Sequence, residues 1–156
     1  MLIILDYTAQ TMKITGYSHQ PSISSTEVKR ALPLLATYVP AGFASPADDF
    51  MDRTLDLHEY IVQHPSSTFY AKVSGDSMIN AGIYEGDIIV VDRSLKPVHD
   101  KIVLAVINGE WTVKRLRYQN SQPYLFPEND KYKPTRITEE MGFVVWGVVI
   151  HVLHKV

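Results

Sequence analysis

Short apolar runs separated by turn residues occupy the chain from residue 68 to residue 153. Many of them alternate apolar and polar side chains or are rich in β-branched residues, as strands are. Asn108-Gly109 lies between two runs and favours a tight hairpin turn, because both positions accept positive φ. The continuous apolar run 102–106 predicts a strand buried on both faces. We therefore predict a mainly β fold with strands at 68–73, 88–91, 101–107, 110–118, 123–126 and 143–153.

A short helix is predicted immediately before these strands. Asp56 and Glu59 have the spacing of a capping box, in which a side chain at each position bonds to a backbone N–H at the helix start. Pro65 limits the C-terminal end of this helix. Its apolar positions at helical spacing are Leu57, Tyr60 and Ile61.

The first 41 residues differ from the rest of the chain. Gly16 and Pro21 interrupt them, and they offer one possible helix, at 25–32, which Pro33 would stop. We expect an extended N-terminal arm with little core of its own, at 1–41. A compact β-rich domain is expected at 42–156.

Composition excludes several classes of function. None of the 156 residues is cysteine, which rules out a disulfide framework, a thiol nucleophile and cysteine-bound zinc. A net charge of -2 provides no long-range attraction to nucleic acid, so direct DNA binding is not expected. The apolar run 2–5 is too short for a signal peptide core or a membrane span, and we expect a cytoplasmic protein.

Ser77 is a candidate nucleophile. It lies in Ser74-Gly75-Asp76-Ser77-Met78, directly after the first predicted strand. Such a loop can present the hydroxyl and direct the main-chain N–H groups of Asp76 and Ser77 at a developing oxyanion, while Gly75 permits close backbone approach. The same residue types are equally typical of a turn in which the serine bonds to nearby backbone.

Lys114 is the candidate general base for such a serine. In an extended strand it shares a face with Thr112, Leu116 and Tyr118, so its amine would have apolar and aromatic neighbours. Burial disfavours the ammonium, and a neutral amine can take the serine proton. The alternative is a solvated strand lysine in a basic cluster with Arg115 and Arg117.

The segment Pro40-Ala41-Gly42 is a candidate substrate within the chain itself. Proline biases the residue before it towards extended geometry, and small side chains leave the Ala41 carbonyl accessible. An ordinary linker would have the same composition.

The six histidines do not favour a metal site or a Ser-His-Asp enzyme. His151 and His154 form the one close pair, and on a strand their side chains would point to opposite faces.

Six groups of residues, in order along the chain and spanning about residues 36–153, carry a resemblance to a known family. They are Ser74-Gly75-Asp76-Ser77-Met78, Gly82-Ile83, Gly86-Asp87 with Val91-Asp92, Gly109-Glu110 with Thr112-Val113-Lys114-Arg115-Leu116, Pro127 with Asn129 and Tyr132, and Gly147-Val148-Val149. In this combination the chain resembles the LexA/UmuD family of self-cleaving serine proteases, and its UmuD branch most of all.

The resemblance implies a latent protease that cuts itself once. Ser77 would be the nucleophile, Lys114 the general base, and Ala41–Gly42 the bond that is cut, with no cofactor or metal. A RecA filament on single-stranded DNA would accelerate the cut. The trimmed protein, as a homodimer, would then serve a UmuC-type error-prone translesion polymerase in SOS mutagenesis.

Two other functions fit the sequence less well, and one residue departs from the family pattern. A LexA- or phage-repressor-like regulator would need a helix-turn-helix domain, which hardly fits before residue 42. A signal peptidase would need an apolar segment of ~20 residues as a membrane anchor. The departure is Asp100, which stands where UmuD-like chains usually have glycine, and we expect it to change only the local turn.

Overall fold

The computed structural model of the protein describes residues 31–35, 41 and 51–156, which form nine strands, one α-helix and two 3₁₀ turns. The strands are β1 (Leu32–Leu35), β2 (Met51–Leu55), β3 (Thr68–Lys72), β4 (Ile88–Asp92), β5 (Ile102–Ile107), β6 (Glu110–Gln119), β7 (Gln122–Phe126), β8 (Thr135–Arg136) and β9 (Val144–Leu153). The helix is α1 (Leu57–Ile61), and the 3₁₀ turns are Ile79–Ala81 and Glu139–Met141.

Seven of these strands form one antiparallel sheet in the order β3-β4-β9-β5-β6-β7-β8. The C-terminal strand β9 lies between β4 and β5, so it joins the early strands to the β5–β6–β7 meander. β1 and β2 form a separate antiparallel pair. All six predicted strands are present, with bounds that differ by one residue at most, and the mainly β fold is confirmed.

The predicted hairpin and the predicted central strand are also confirmed. Asn108 and Gly109 have φ of 52° and 82°, as a two-residue turn with two left-handed positions requires. Leu104 packs in one core cluster, with Met78, Ile83, Ile89 and Val91, whereas its neighbours Val103 and Ala105 pack in another, with Leu116, Leu125 and Ile137. β5 is therefore buried on both faces.

The predicted helix α1 forms, but it buries less than expected. A carboxylate oxygen of Asp56 accepts hydrogen bonds from the N–H groups of His58 and Glu59, at 2.9 and 3.2 Å. Of the three apolar positions only Ile61 is buried, whereas Leu57 and Tyr60 are more than half exposed. A five-residue helix has little more than one turn, so it presents only a narrow stripe to the core.

The predicted helix over 25–32 is wrong at its end. Leu32 belongs to β1, where it pairs with Leu55, because Pro33 disfavours helical geometry in the residue before it. The remainder of that prediction, residues 25–30, lies outside the described residues, as do Gly16, Pro21 and the run 2–5. β1, β2 and β8 were not predicted, since each is short and lacks a clear apolar alternation.

Asp100 adopts the backbone conformation that glycine takes most freely. Its φ is +68°, and its N–H donates to the Leu116 carbonyl at 2.7 Å. Its carboxylate accepts from Arg117 Nε at 2.9 Å, and this hydrogen bond lowers the pKa of Asp100. The ion pair offsets part of the strain that a side chain brings to this turn, and β5, which begins two residues later, pairs with β6 without a register shift.

Gly147 in β9 is required by packing. A Cβ atom there would lie 2.6 Å from Val91 Cγ1 and 2.9 Å from the Asp92 carbonyl oxygen. Because a main-chain oxygen cannot turn aside as a side chain can, Gly147→Ala is expected to lower the free energy of unfolding by about 1–3 kcal/mol, measured by urea denaturation.

Gly142→Ala is the control for this substitution. Gly142 has φ of +53°, but no neighbouring heavy atom lies within 4 Å of the point that a Cβ atom would occupy, so it tests backbone strain without overlap. A loss of about 1 kcal/mol is expected there. If Gly147→Ala were no more destabilising than Gly142→Ala, the contact with β4 would not be the cause.

Asp92 is a buried carboxylate at the end of β4, and its surroundings keep it ionised. Burial opposes its charge, but hydrogen bonds from Ser94, His64 and Ser67 outweigh that effect and lower the pKa of Asp92 to about 2. Ser94 Oγ lies 2.6 Å from Oδ1, and His64 Nδ1 lies 2.6 Å from Oδ2. These bonds connect β4 to the segment that leads into β3.

The lowered pKa of Asp92 makes the free energy of unfolding depend on pH in the acid range. Because its folded pKa is below the ordinary value of 3.8, Asp92 stabilises the fold above that pH and loses this contribution as the pH falls through 2. The stability advantage of the native chain over Asp92→Asn should shrink by about 2 kcal/mol between pH 5 and pH 2, measured by urea denaturation. An advantage that stays constant over this range would contradict the assignment.

Candidate active site

Ser77 lies in the loop between β3 and the first 3₁₀ turn. Gly75 has φ of +84°, a conformation that favours glycine, and it lets the chain turn back towards the sheet. The next residue after Ser77, Met78, is 2% exposed and packs with Leu104 and Val91 in the first core cluster. The serine is therefore held on a loop that the core fixes at its base.

Lys114 lies in the middle of β6, and its amine reaches Ser77. Nζ lies 2.8 Å from Ser77 Oγ, 2.9 Å from Thr112 Oγ1 and 3.0 Å from the Val113 carbonyl oxygen. Burial lowers the pKa of Lys114. The structure thus brings the two predicted residues into direct contact and removes much of the water that would keep the amine protonated.

The predicted alternation of side chains holds along β6, but the expected apolar neighbours of the amine do not: the cleft around Lys114 is lined by Trp111 and Val113, not by Leu116 or Tyr118. Val113 packs with the first core cluster, whereas Leu116 and Tyr118 belong to the second. Lys114 contacts Thr112, the residue two positions earlier on its own face. Arg117 points elsewhere and binds Asp100, so it is not part of a basic cluster around Lys114.

The three partners of Lys114 suit both charge states of its amine. An ammonium has three N–H donors, one for each of the three oxygens. A neutral amine has two N–H groups and one lone pair, and the carbonyl of Val113 can only accept. If Thr112 also accepts, the lone pair is left to face the Ser77 hydroxyl. A proton can therefore pass between Ser77 and Lys114 without rearrangement of the site.

Ser77 and Lys114 line one cleft, whose lining is partly apolar. Trp111, another lining residue, is 57% exposed, and its ring packs edge-on against Trp146 with centroids 4.8 Å apart. The apolar part of this lining reduces solvation of the amine. The cleft is lined by Lys72, Val73, Ser74, Ser77, Met78, Leu104, Trp111, Thr112, Val113 and Lys114.

The predicted oxyanion donors, the N–H groups of Asp76 and Ser77, lie on the same loop as the nucleophile. Within residues 51–156 no main-chain oxygen accepts a hydrogen bond from either N–H group, although the Asp76 N–H interacts with its own carboxylate. The Asp76 carboxylate accepts hydrogen bonds from the Tyr132 hydroxyl and from Lys131 Nζ, the latter at 3.2 Å. The hydrogen bond from Tyr132, followed by that from Lys131, lowers the pKa of Asp76.

Two residues at the site, Thr112 and Asn129, had no predicted role there. Thr112 was placed on the face of Lys114, but its hydrogen bond to the amine was not foreseen. Asn129 was noted only as part of a family motif, and its Nδ2 donates to the Asp76 carbonyl oxygen at 2.8 Å. Strand parity could have indicated Thr112, whereas no local signal places Asn129, 52 positions from Ser77, beside the serine loop.

The proposed cleavage bond lies partly outside the described residues. Ala41 is exposed, and Gly42 is not among them. The assignment of Ala41–Gly42 therefore stays a prediction.

The histidines of the described part of the chain do not form a catalytic triad. His64 and Ser67 both bind the Asp92 carboxylate, so this serine donates to the acid rather than to the imidazole. His154 pairs with Asp87 at 2.7 Å, and His151 packs near Tyr60. In residues 31–35, 41 and 51–156, no three acidic or histidine side chains are grouped to hold a metal ion, and no helix has the length and hydropathy to span a membrane.

Comparison with known proteins finds a family and several relatives that match most of this chain. The peptidase S24-like family matches residues 33–150. Protein ImpA of Salmonella typhimurium is 42% identical over 137 residues, which cover 88% of this chain and 93% of ImpA. Protein MucA of Escherichia coli is 44% identical over 124 residues, covering 79% and 84%. LexA repressor 2 of Pseudomonas syringae pv. tomato is 39% identical over 80 residues, which cover 51% of this chain and 40% of the repressor.

The chain therefore belongs to the peptidase S24-like family of self-cleaving serine peptidases. Its similarity to ImpA and MucA extends over most of each chain, whereas the similarity to the repressor is confined to half of this one. Within the family it is a UmuD-like protein of the kind that acts in SOS mutagenesis, and this assignment is favoured over a LexA-like regulator.

Thr112→Val tests the hydrogen bonding of the amine. Valine has the shape of threonine but no oxygen, so the ammonium of Lys114 loses one acceptor and its pKa should fall further below the ordinary value. NMR titration of the Lys114 side chain measures this change. Thr112→Ser, which keeps the hydroxyl, is the matched control, and an unchanged pKa in Thr112→Val would contradict the role of this contact.

Proposed function

We propose that Ser77 and Lys114 form a catalytic dyad that cuts the bond between Ala41 and Gly42 of this chain. The observation that carries the proposal is the distance of 2.8 Å between Ser77 Oγ and a Lys114 amine whose pKa is lowered by burial. A serine hydroxyl needs a positioned base, and a lysine serves as one only when it is neutral. The 2.8 Å contact supports the positioning, and the lowered pKa shifts Lys114 towards the neutral form.

The proposed reaction has two stages, acylation of Ser77 and hydrolysis of the resulting ester. Lys114 Nζ takes the hydroxyl proton as Ser77 Oγ attacks the Ala41 carbonyl carbon, and the N–H groups of Asp76 and Ser77 stabilise the oxyanion. Lys114 returns the proton to the Gly42 nitrogen as the peptide bond breaks, which leaves Ala41 esterified to Ser77. A water molecule, deprotonated by Lys114, hydrolyses this ester and regenerates both residues.

The domain organisation follows from the cleavage bond. Residues 1–41 are the arm that is removed, and residues 42–156 are the catalytic and dimerisation domain that remains. Because the arm is tethered to the site that cuts it, the substrate is present at a high effective concentration without a dedicated external binding groove. We therefore expect the isolated protein to cut itself slowly even without a partner.

The partners are proposed from the family resemblance. A RecA filament on single-stranded DNA stimulates the cut, and the processed homodimer is an accessory subunit of a UmuC-type polymerase in the cytoplasm. The similarity to ImpA and MucA over most of each chain supports this part of the proposal.

Incubation of the purified chain at mildly alkaline pH, with and without RecA, ATP and single-stranded DNA, tests the reaction. Mass spectrometry should find one new N-terminus, at Gly42, in larger amounts when the filament is present. Ser77→Ala and Lys114→Ala should each slow the cleavage by at least ~100-fold, because each removes an essential half of the dyad.

Lys96→Ala is the matched lysine control, since Lys96 is exposed and distant in sequence from the dyad. It should cleave at the native rate. Cleavage at another bond, or native rates in Ser77→Ala or Lys114→Ala, would overturn the proposed mechanism.

A further inference from the structure

Two neighbouring peptide carbonyls around Ser77 are both held by one dipeptide from the segment after β7. The Asp76 carbonyl accepts from Asn129 Nδ2 at 2.8 Å, and the Ser77 carbonyl accepts from the Glu128 N–H at 2.8 Å. In return, the Glu128 carbonyl accepts from the Asn80 N–H at 2.8 Å. The serine loop is therefore fixed from both sides of the nucleophile.

These bonds fix the direction of N–H groups as well as carbonyls. A peptide unit is planar, with its C=O and its N–H pointing in opposite directions. Holding the Asp76 carbonyl therefore sets the direction of the Ser77 N–H, and holding the Ser77 carbonyl sets that of the Met78 N–H. An oxyanion is stabilised well only by donors that already point at it before the reaction begins.

Asn129 is a buried side chain that can hold the Asp76 carbonyl in one direction. It is 6% exposed, and both ends of its amide are bound: Nδ2 donates to Asp76, and Oδ1 accepts from the Lys131 N–H at 3.0 Å. An aspartate could accept from Lys131, but when ionised it could not donate to Asp76. The site therefore requires a side chain that donates at one end and accepts at the other.

We propose that Asn129 is a positioning residue for self-cleavage, which directs the Ser77 N–H at the oxyanion by holding the Asp76 carbonyl. The inference rests on the proposed dyad and adds to it a residue that touches neither Ser77 Oγ nor Lys114 Nζ. Asn129 acts on the stabilisation of the developing charge, not on the removal of the serine proton.

Tyr132 provides a matched comparison on the same segment. Its hydroxyl binds the Asp76 carboxylate, which is a side-chain contact and leaves the Asp76 peptide carbonyl to Asn129. Tyr132→Phe removes one hydrogen bond to the same loop residue without affecting the peptide plane. A general loosening of the loop would slow both variants, whereas loss of peptide direction would slow only the Asn129 variants.

The test measures self-cleavage rates of the full chain across pH for the native protein, Asn129→Ala, Asn129→Asp and Tyr132→Phe, with thermal unfolding as the check on folding. Asn129→Ala should lower the plateau rate by ~10- to 100-fold. This reduction should not exceed the one caused by removing an oxyanion donor itself. Its pH midpoint should equal that of the native protein, because the contacts of Lys114 are untouched. Tyr132→Phe should remain within ~3-fold of the native rate.

The outcomes separate this inference from the proposed function. No cleavage by the native chain at Ala41–Gly42 would remove the dyad proposal itself. Native cleavage with native plateau rates in Asn129→Ala, an equal loss in Tyr132→Phe, or a shifted midpoint with an unchanged plateau would overturn the role of Asn129 alone. Should Asn129→Ala fail to fold, Asn129→Asp decides, since it keeps the size of the side chain and its contact with Lys131 but lacks the donor.

Discussion

The loss of water around the Lys114 amine is the constraint on which the rest of the site depends. A solvated ammonium could donate to Ser77 but could not take its proton. β6 holds the amine in the partly apolar cleft, where its other hydrogen-bond partners are the oxygens of Thr112 and Val113. Burial of a lysine destabilises a fold. In this protein the same burial places the proposed base 2.8 Å from the Ser77 hydroxyl.

The loop that carries Ser77 is fixed by contacts from distant parts of the chain. β3 leads into the loop, Met78 holds its base in the core, and the segment after β7 binds two of its carbonyls. Because β9 lies between β4 and β5, the early strands that carry Ser77 and the meander that carries Lys114 belong to one sheet. A 37-residue separation in sequence thus becomes one hydrogen bond.

Much of this could be predicted, because strands and tight turns leave local signals. Alternation located six strands, Asn108-Gly109 located the hairpin, and parity placed Lys114 beside Thr112. The strand at Leu32 was mistaken for a helix end because pairing with Leu55 is a long-range interaction. Asn129 was missed for the same reason, since its partner in the serine loop is far away in sequence and an isolated asparagine carries no pattern.

The central claim is that a neutral Lys114 is the base that activates Ser77. Its most direct test compares the pH midpoint of the self-cleavage rate with the pKa of Lys114 measured by NMR titration in Ser77→Ala. We expect cleavage to rise with pH to a plateau, with a midpoint below the ordinary lysine value of 10.5 that follows the titration of this amine. A rate that does not follow the titration of Lys114, or a Lys114 pKa at its ordinary value, would contradict it.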